Sequence, residues 1–234
     1  MNPDQSKETR LDRDPVSGET KVIEMPGYSM ANDSCVIDEH QEKAILEDVE
    51  HACSLLLRGL RINTRLDHNS NETAKRMAKM YVKEVFAGRF SPMPKITAFP
   101  NAKSLDEIYT VGPISIRSAC SHHFAPILGE VWIGIIPGDQ VIGLSKFARI
   151  TDWIFSRPQI QEEATVQLAD LLEEKIKPKA LAVVVKADHL CMKWRGVKEP
   201  CSNMITSVMR GKFRENPSAK AEFMSLIAGQ GFKS

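Results

Sequence analysis

The stretch EIYTVGPISIRSACSHHFAPILGEVWIGII, residues 107–136, holds two apolar-rich runs joined by a short segment that contains Cys120 and two histidines. Residues 107–119 alternate apolar and polar side chains, as a half-buried strand does. Residues 128–136 form a second run, which Pro137 and Gly138 end. Two such runs at this separation predict an antiparallel hairpin.

Helices and strands elsewhere in the chain are grouped rather than strictly alternating. The spacing of apolar residues predicts helices over 38–60, 71–86, 145–155, 159–175 and 217–227, and strands over 180–186, 190–194 and 203–209. Asp38 is a plausible N-cap, and Pro158 suits the first turn of the helix that follows it. Grouped elements favour an α+β fold with an antiparallel sheet.

The length of 234 residues allows one main domain with additional elements. Residues 1–36 mix charged residues with Pro, Gly and Ser and contain few large apolar groups, so they are expected to form a flexible N-terminal arm. The domain is expected to span 37–234, with N-terminal helices over 38–88 and the sheet-bearing part over 95–228.

Composition excludes several classes of partner. The 31 basic and 30 acidic residues leave a net charge of +1, so no global field attracts nucleic acid or an anionic membrane, and neither is expected as a partner. The chain has no apolar run near the roughly 20 residues that a membrane span needs, and no secretion signal, so a cytoplasmic location is expected. Five scattered cysteines suggest free thiols or metal ligands rather than a disulfide framework.

Two short segments contain residues suited to a metal site. Thiolate and imidazole are the ligands that zinc prefers, and the two-residue gap between Cys120 and His123 lets both converge in one turn. In an extended strand, His189 and Cys191 would project from the same face. Taking Cys120, His123 and Cys191 as ligands leaves a fourth position for water, as in catalytic zinc sites. Spacing alone leaves open a second interpretation, in which these are buried thiols and core histidines.

Six segments closely resemble, in order and spacing, the motifs of the GTP cyclohydrolase I family. They are TAKRMAKMYVKEVFAG (73–88), CSHHFAPILGEVWIGIIP (120–137), VIGLSKFARI (141–150), RPQIQEE (157–163), HLCMKWRGV (189–197) and MITSVMRGKFRENPSAKAEF (204–223). The resemblance implies a tunnelling fold (T-fold), in which helices pack on one face of an antiparallel sheet. It also implies a homodecamer, in which the subunit sheets form a barrel and adjacent subunits build each active site.

The resemblance further implies a reaction and a set of roles. The reaction is zinc-dependent hydrolysis of GTP to 7,8-dihydroneopterin triphosphate and formate, with no redox cofactor. The zinc ligands would be Cys120, His123 and Cys191. His122 and His189 would transfer protons, and Ser145 would assist the later rearrangement. The substrate-binding residues would be Glu162, which recognises guanine, the adjacent Gln161, and the cations that hold the triphosphate, Arg76, Lys79, Lys146, Arg149 and Arg195.

A carboxylate at Glu162 is chemically suited to bind guanine, although its position in the sequence does not require that role. A carboxylate at Glu162 can accept hydrogen bonds from guanine N1–H and the 2-amino group, which adenine does not offer. A solvated glutamate on a helix surface is the alternative, since Glu163 follows directly. Ser121 stands where the family commonly has Glu, and Ala74 where it commonly has Pro. These departures concern the surroundings of the site and the start of a helix.

Two other functions remain compatible with the residues. One is a related T-fold enzyme acting on pterins or deazaguanines, which would use three histidines on zinc or a catalytic cysteine with nicotinamide. The Cys-His-Cys set argues against the three-histidine site. The other is a zinc-stabilised binding module without turnover, which only Ser121 faintly favours.

Overall fold

A computed structural model describes residues 8–13 and 18–233 of the chain, which divides into two compact units, Met1–Pro92 and Met93–Ser234. This boundary falls in the interval between the predicted helical part (38–88) and the predicted sheet-bearing part (95–228). None of the helices among the described residues is long and apolar enough to cross a membrane.

The first unit consists of a small hairpin followed by helices. Its elements are β1 (Thr9–Arg13), β2 (Thr20–Glu24), α1 (Glu39–Gly59), α2 (Thr73–Lys79), a π-helical segment (Met80–Val85) and α3 (Ala87–Phe90). The predicted N-cap of α1 is confirmed. The Asp38 side chain accepts a hydrogen bond from the Gln41 backbone N–H, and the Gln41 side chain accepts one from the Asp38 N–H. This capping box satisfies donors that the first helical turn leaves free.

The predicted arm, residues 1–36, lies partly outside the described residues. Where it is described, β1 pairs with β2, and Arg10 forms ion pairs with Glu47 and Asp48 of α1. Arg89 donates hydrogen bonds to the carbonyl oxygens of Met30, Ala31 and Asp33. Backbone pairing within the hairpin and arginine contacts connect this part of the arm to α1 and α3. The flexibility of the arm stays a prediction.

The second unit is built on a five-stranded sheet. Its elements are β3 (Ala98–Pro100), β4 (Tyr109–Cys120), β5 (Pro126–Ile136), β6 (Gln140–Ile142), α4 (Leu144–Phe155), β7 (Pro158–Gln159), α5 (Gln161–Ile176), β8 (Ala180–His189), α6 (Leu190–Lys193), β9 (Met204–Gly211), α7 (Lys212–Glu215) and α8 (Pro217–Gly229). The strand order is β7-β4-β5-β8-β9, with only the β7–β4 pair parallel. The predicted hairpin is present as β4 and β5, so the α+β prediction is confirmed.

Both faces of this sheet are covered. Odd-numbered residues of β8 such as Val183 pack in a cluster with apolar residues of α4 and α5. Even-numbered residues such as Val184 pack in a second cluster with Phe223 and Ile227 of α8. Gly134 makes room for the Phe223 ring, because a Cβ there would collide with Phe223 Cδ2. Helices α4 and α5 thus share one face, as expected, and α8 covers the other, which the sequence interpretation did not foresee.

Two local predictions were wrong. The strand predicted over 190–194 is the helical turn α6, because the ladder of β8 with β5 ends where His189 pairs with Ile127. Pro158 does not open a helix. It lies in β7, where it aligns with Ala119 at the end of β4, and α5 begins only at Gln161. Proline is tolerated there because β7 is an edge strand.

Candidate active site

A tight turn between β4 and β5 presents the Cys-Ser-His-His segment. The Cys120 N–H donates to the Ala125 carbonyl at 2.9 Å, and the Phe124 N–H donates back to the Cys120 carbonyl at 2.8 Å. Phe124 adopts a left-handed conformation, with φ of 51°, to close the turn. Cys120 is buried at the strand end, while the side chains of His122 and His123 are exposed.

The structure brings the thiols of Cys120 and Cys191 together. Both cysteines are free, and their side chains form a hydrogen bond. Burial raises the pKa of the Cys191 thiol, and the hydrogen bond and charge of Cys120 raise it further. The local backbone structure differs from the predicted one, because Cys191 lies in the helical turn α6 rather than in an extended strand.

The two adjacent histidines have different partners. His122 Nδ1 lies 3.5 Å from Cys120 Sγ. His123 Nε2 lies 3.1 Å from Arg195 Nη1, which donates to it. Over residues 8–13 and 18–233, no group of three or more His, Cys, Asp or Glu side chains is arranged to hold a metal ion. The structure therefore unites the two thiols and places His122 beside one of them, but it turns His123 towards Arg195.

His189, the last residue of β8, lies next to α5. Its Nε2 is 2.8 Å from Oε1 of Gln161, the first residue of that helix. Burial lowers the pKa of His189 below its ordinary value, while the negative charges of Glu162 and Asp188 act in the opposite direction. The effect of Glu162 on the pKa of His189 indicates that its exposed carboxylate lies close to the imidazole ring.

Gln161, the first residue of α5, is buried and hydrogen-bonded on several sides. Its side chain is 1% exposed, and its amide is hydrogen-bonded to His189, Thr206 and backbone carbonyls. The role of Gln161 in substrate binding stays a prediction, and what the structure shows is the burial of its side chain. A sequence pattern could have revealed this, because Gln161 shares helical spacing with the buried residues Ala164 and Leu168.

Apart from Arg195, which contacts His123, the predicted cations fall into two groups. Lys146 and Arg149 lie on α4 with Ser145, and Lys146 Nζ donates to the Lys95 carbonyl at 2.8 Å. Ser145 and Arg149 are exposed. Arg76 and Lys79 are exposed residues of α2 in the first unit, where Arg76 pairs with Glu72 at 3.2 Å.

The antiparallel sheet, its connecting helices and the cysteine–histidine cluster at the strand ends define a T-fold protein with a thiol-containing site. The sequence matches the GTP cyclohydrolase I family profile over residues 49–228. GTP cyclohydrolase 1 of Corynebacterium glutamicum (strain R) is 43% identical over 160 residues, covering 68% of this chain and 81% of the relative. GTP cyclohydrolase 1 of Shewanella loihica is 39% identical over 180 residues, covering 76% and 84%. The chain belongs to the GTP cyclohydrolase I family.

A solved structure of the apo form of the archaeosine synthase QueF-Like is more distant. It is 17% identical, with a TM-score of 0.35, and the alignment covers 51% of this chain and 97% of that one. A likeness this weak adds nothing to the assignment.

Proposed function

We propose that this chain is a GTP cyclohydrolase I, converting GTP and one net water into 7,8-dihydroneopterin triphosphate and formate. The observation that carries the proposal is the contact between the Cys120 and Cys191 thiols, beside His122 and close to His189 and Glu162. Family membership over 49–228 supplies the reaction class. Turnover of GTP by the purified protein is the test.

Zinc is the proposed cofactor, with Cys120, His123 and Cys191 as its ligands. Thiolate and imidazole suit zinc. Burial and the neighbouring Cys120 sulfur raise the pKa of Cys191, and a bound divalent cation would lower it. When bound at a site with three protein ligands, zinc supplies activated water near neutral pH. Because Arg195 contacts His123 in this structure, this ring has to change partner when the metal binds. Both thiols must be reduced to serve as ligands, which supports a cytoplasmic location.

The proposed chemistry assigns proton transfers to the protein's own histidines. As water adds to C8 of GTP, negative charge develops on the purine, and His122 donates a proton to N7. The C8–N9 bond then breaks to leave a formamide, and a second water releases formate. His189 and Ser145 assist ribose opening and rearrangement, and the new ring closes with loss of one water. Two waters enter and one leaves.

Guanine selection is assigned to Glu162, whose exposed carboxylate lies close to His189. Glu162→Gln is expected to lower kcat/KM for GTP by about 30- to 160-fold, or about 2–3 kcal/mol, because a neutral amide cannot accept both hydrogen bonds. Steady-state kinetics measure this. The neighbouring exposed Glu163→Gln is the matched control and should stay within about twofold of wild type. An unchanged kcat/KM in Glu162→Gln would make Glu162 a solvated surface residue.

Assembly is proposed to complete the site, as a homodecamer with active sites between subunits. In the described sheet β9 is an outermost strand, and natural proteins cover or pair such edges. Trp194 and Val197, just after α6, are each 75% exposed, which suits burial by another copy. Light scattering should therefore report a species many times the mass of one chain. A monomer with full activity contradicts the shared site.

A further inference from the structure

The side-chain amide of Gln161 has a fixed orientation. Its Nε2 lies 3.3 Å from the Val185 carbonyl, 3.2 Å from the Met204 carbonyl and 3.0 Å from Thr206 Oγ1. Carbonyl oxygens only accept hydrogen bonds, so the group facing them has to be the NH₂ donor. Exchanging the amide oxygen and nitrogen would set oxygen against two carbonyls in a buried position. The contacts therefore determine which atom faces His189.

The atom that faces His189 is the Gln161 amide oxygen, 2.8 Å from the ring nitrogen Nε2. An amide oxygen only accepts, so Nε2 of His189 has to carry the hydrogen and donate it. A neutral imidazole carries one hydrogen, so Nδ1 is the nitrogen with the free lone pair. Protonation at Nδ1 leaves the bond to Gln161 intact, since both nitrogens are then donors.

We propose that Gln161 is a positioning residue, which holds His189 in its Nε2–H tautomer and leaves the free lone pair on Nδ1, instead of contacting guanine. This inference rests on the proposed function, in which His189 takes part in proton transfer. In that role a proton leaves an O–H or C–H group of the rearranging substrate, its bonding pair stays behind, and Nδ1 takes the proton. Gln161 itself neither gains nor loses a proton.

The same network offers a matched control. Thr206 Oγ1 accepts from Gln161 Nε2 and is 2.8 Å from Thr165 Oγ1, which donates to the Gln161 carbonyl at 2.7 Å. Thr206→Val removes one partner of the Gln161 nitrogen, keeps the side-chain shape, and leaves the bond from His189 untouched. Gln161→Met keeps the length of the side chain but removes the acceptor for His189.

The tautomer can be measured on the wild-type protein without substrate. Full-length protein labelled with [¹⁵N]histidine is studied by solid-state NMR at a pH where the ring is neutral, and His189 is assigned by its absence in His189→Gln. We expect a protonated Nε2 and an unprotonated Nδ1 for His189, and the same in Thr206→Val. The opposite tautomer in wild type overturns the proposal, whether or not the protein turns over GTP and whether or not Gln161→Met folds.

Kinetics then separate positioning from binding and from structural support. Gln161→Met should lower kcat about 10- to 100-fold with KM for GTP within about threefold, the size of effect known for residues that orient a functional histidine. Thr206→Val should keep kcat within about twofold. A raised KM with unchanged kcat in Gln161→Met would show a guanine contact, and an equal loss of kcat in Thr206→Val would show a structural role. Either result overturns the proposal. A wild-type protein inert towards GTP would instead refute the proposed function. The tautomer measurement would then still test whether His189 Nε2–H donates to Gln161.

Discussion

Cys120→Ser and Cys191→Ser are each expected to abolish zinc binding and to reduce GTP turnover to background. The two thiols meet at the end of β4 and the start of α6, where their side chains form a hydrogen bond. A serine hydroxyl keeps its proton near neutral pH and is a hard donor, so it replaces a thiolate poorly on zinc. Elemental analysis gives the metal content of each variant, and formate release gives its turnover.

Cys201→Ser is the control for these variants, because Cys201 is an exposed free thiol. This substitution should leave one zinc per chain and normal turnover. Full zinc occupancy in Cys120→Ser or Cys191→Ser would refute the ligand assignment, even if the variant were inactive.

His122→Ala and His123→Ala are expected to be inactive for different reasons. His123→Ala should lose zinc, because two thiolates alone hold the metal weakly. His122→Ala should retain zinc and GTP affinity but stall before ring opening, because no group then protonates N7 as water adds to C8. Zinc content, GTP binding and formate release are measured on both variants.

The geometry makes this comparison decisive. His122 Nδ1 lies 3.5 Å from Cys120 Sγ, whereas His123 contacts Arg195, so position alone does not assign the ligand. If His122→Ala loses zinc while His123→Ala retains it, the two roles are reversed and the acid at N7 has to be sought elsewhere. The exposed His68 provides a control, since His68→Ala should keep both zinc and turnover.

The sheet was predictable because its pattern is local and strong. The alternation over 107–119 and the apolar run over 128–136 each extend for about ten residues, and they correspond to β4 and β5. The end of β8 was not predictable in the same way. Residues 190–194 look strand-like by themselves, but a strand continues only while a neighbour pairs with it, and β5 supplies no partner beyond His189.

The site was predictable in its residue types more than in its geometry. The family resemblance implied that Cys120 and Cys191 converge, and the structure places them in contact. Spacing alone cannot distinguish two adjacent histidines. The conformation of the turn that Phe124 closes decides which imidazole ring lies beside the thiols. The burial of Gln161 was not predicted, because its polar side chain suggested a ligand contact. Its helical spacing nevertheless matches the core face of α5.

The central claim is tested most directly by incubating the purified, zinc-loaded full-length chain with GTP and measuring formate and a fluorescent pterin together. We expect both products in equal amounts from GTP and neither from ATP, because only guanine supplies the donors that Glu162 is assigned to accept. GTP left intact by a folded protein that retains one zinc per chain, or formate released without a pterin, would contradict the account.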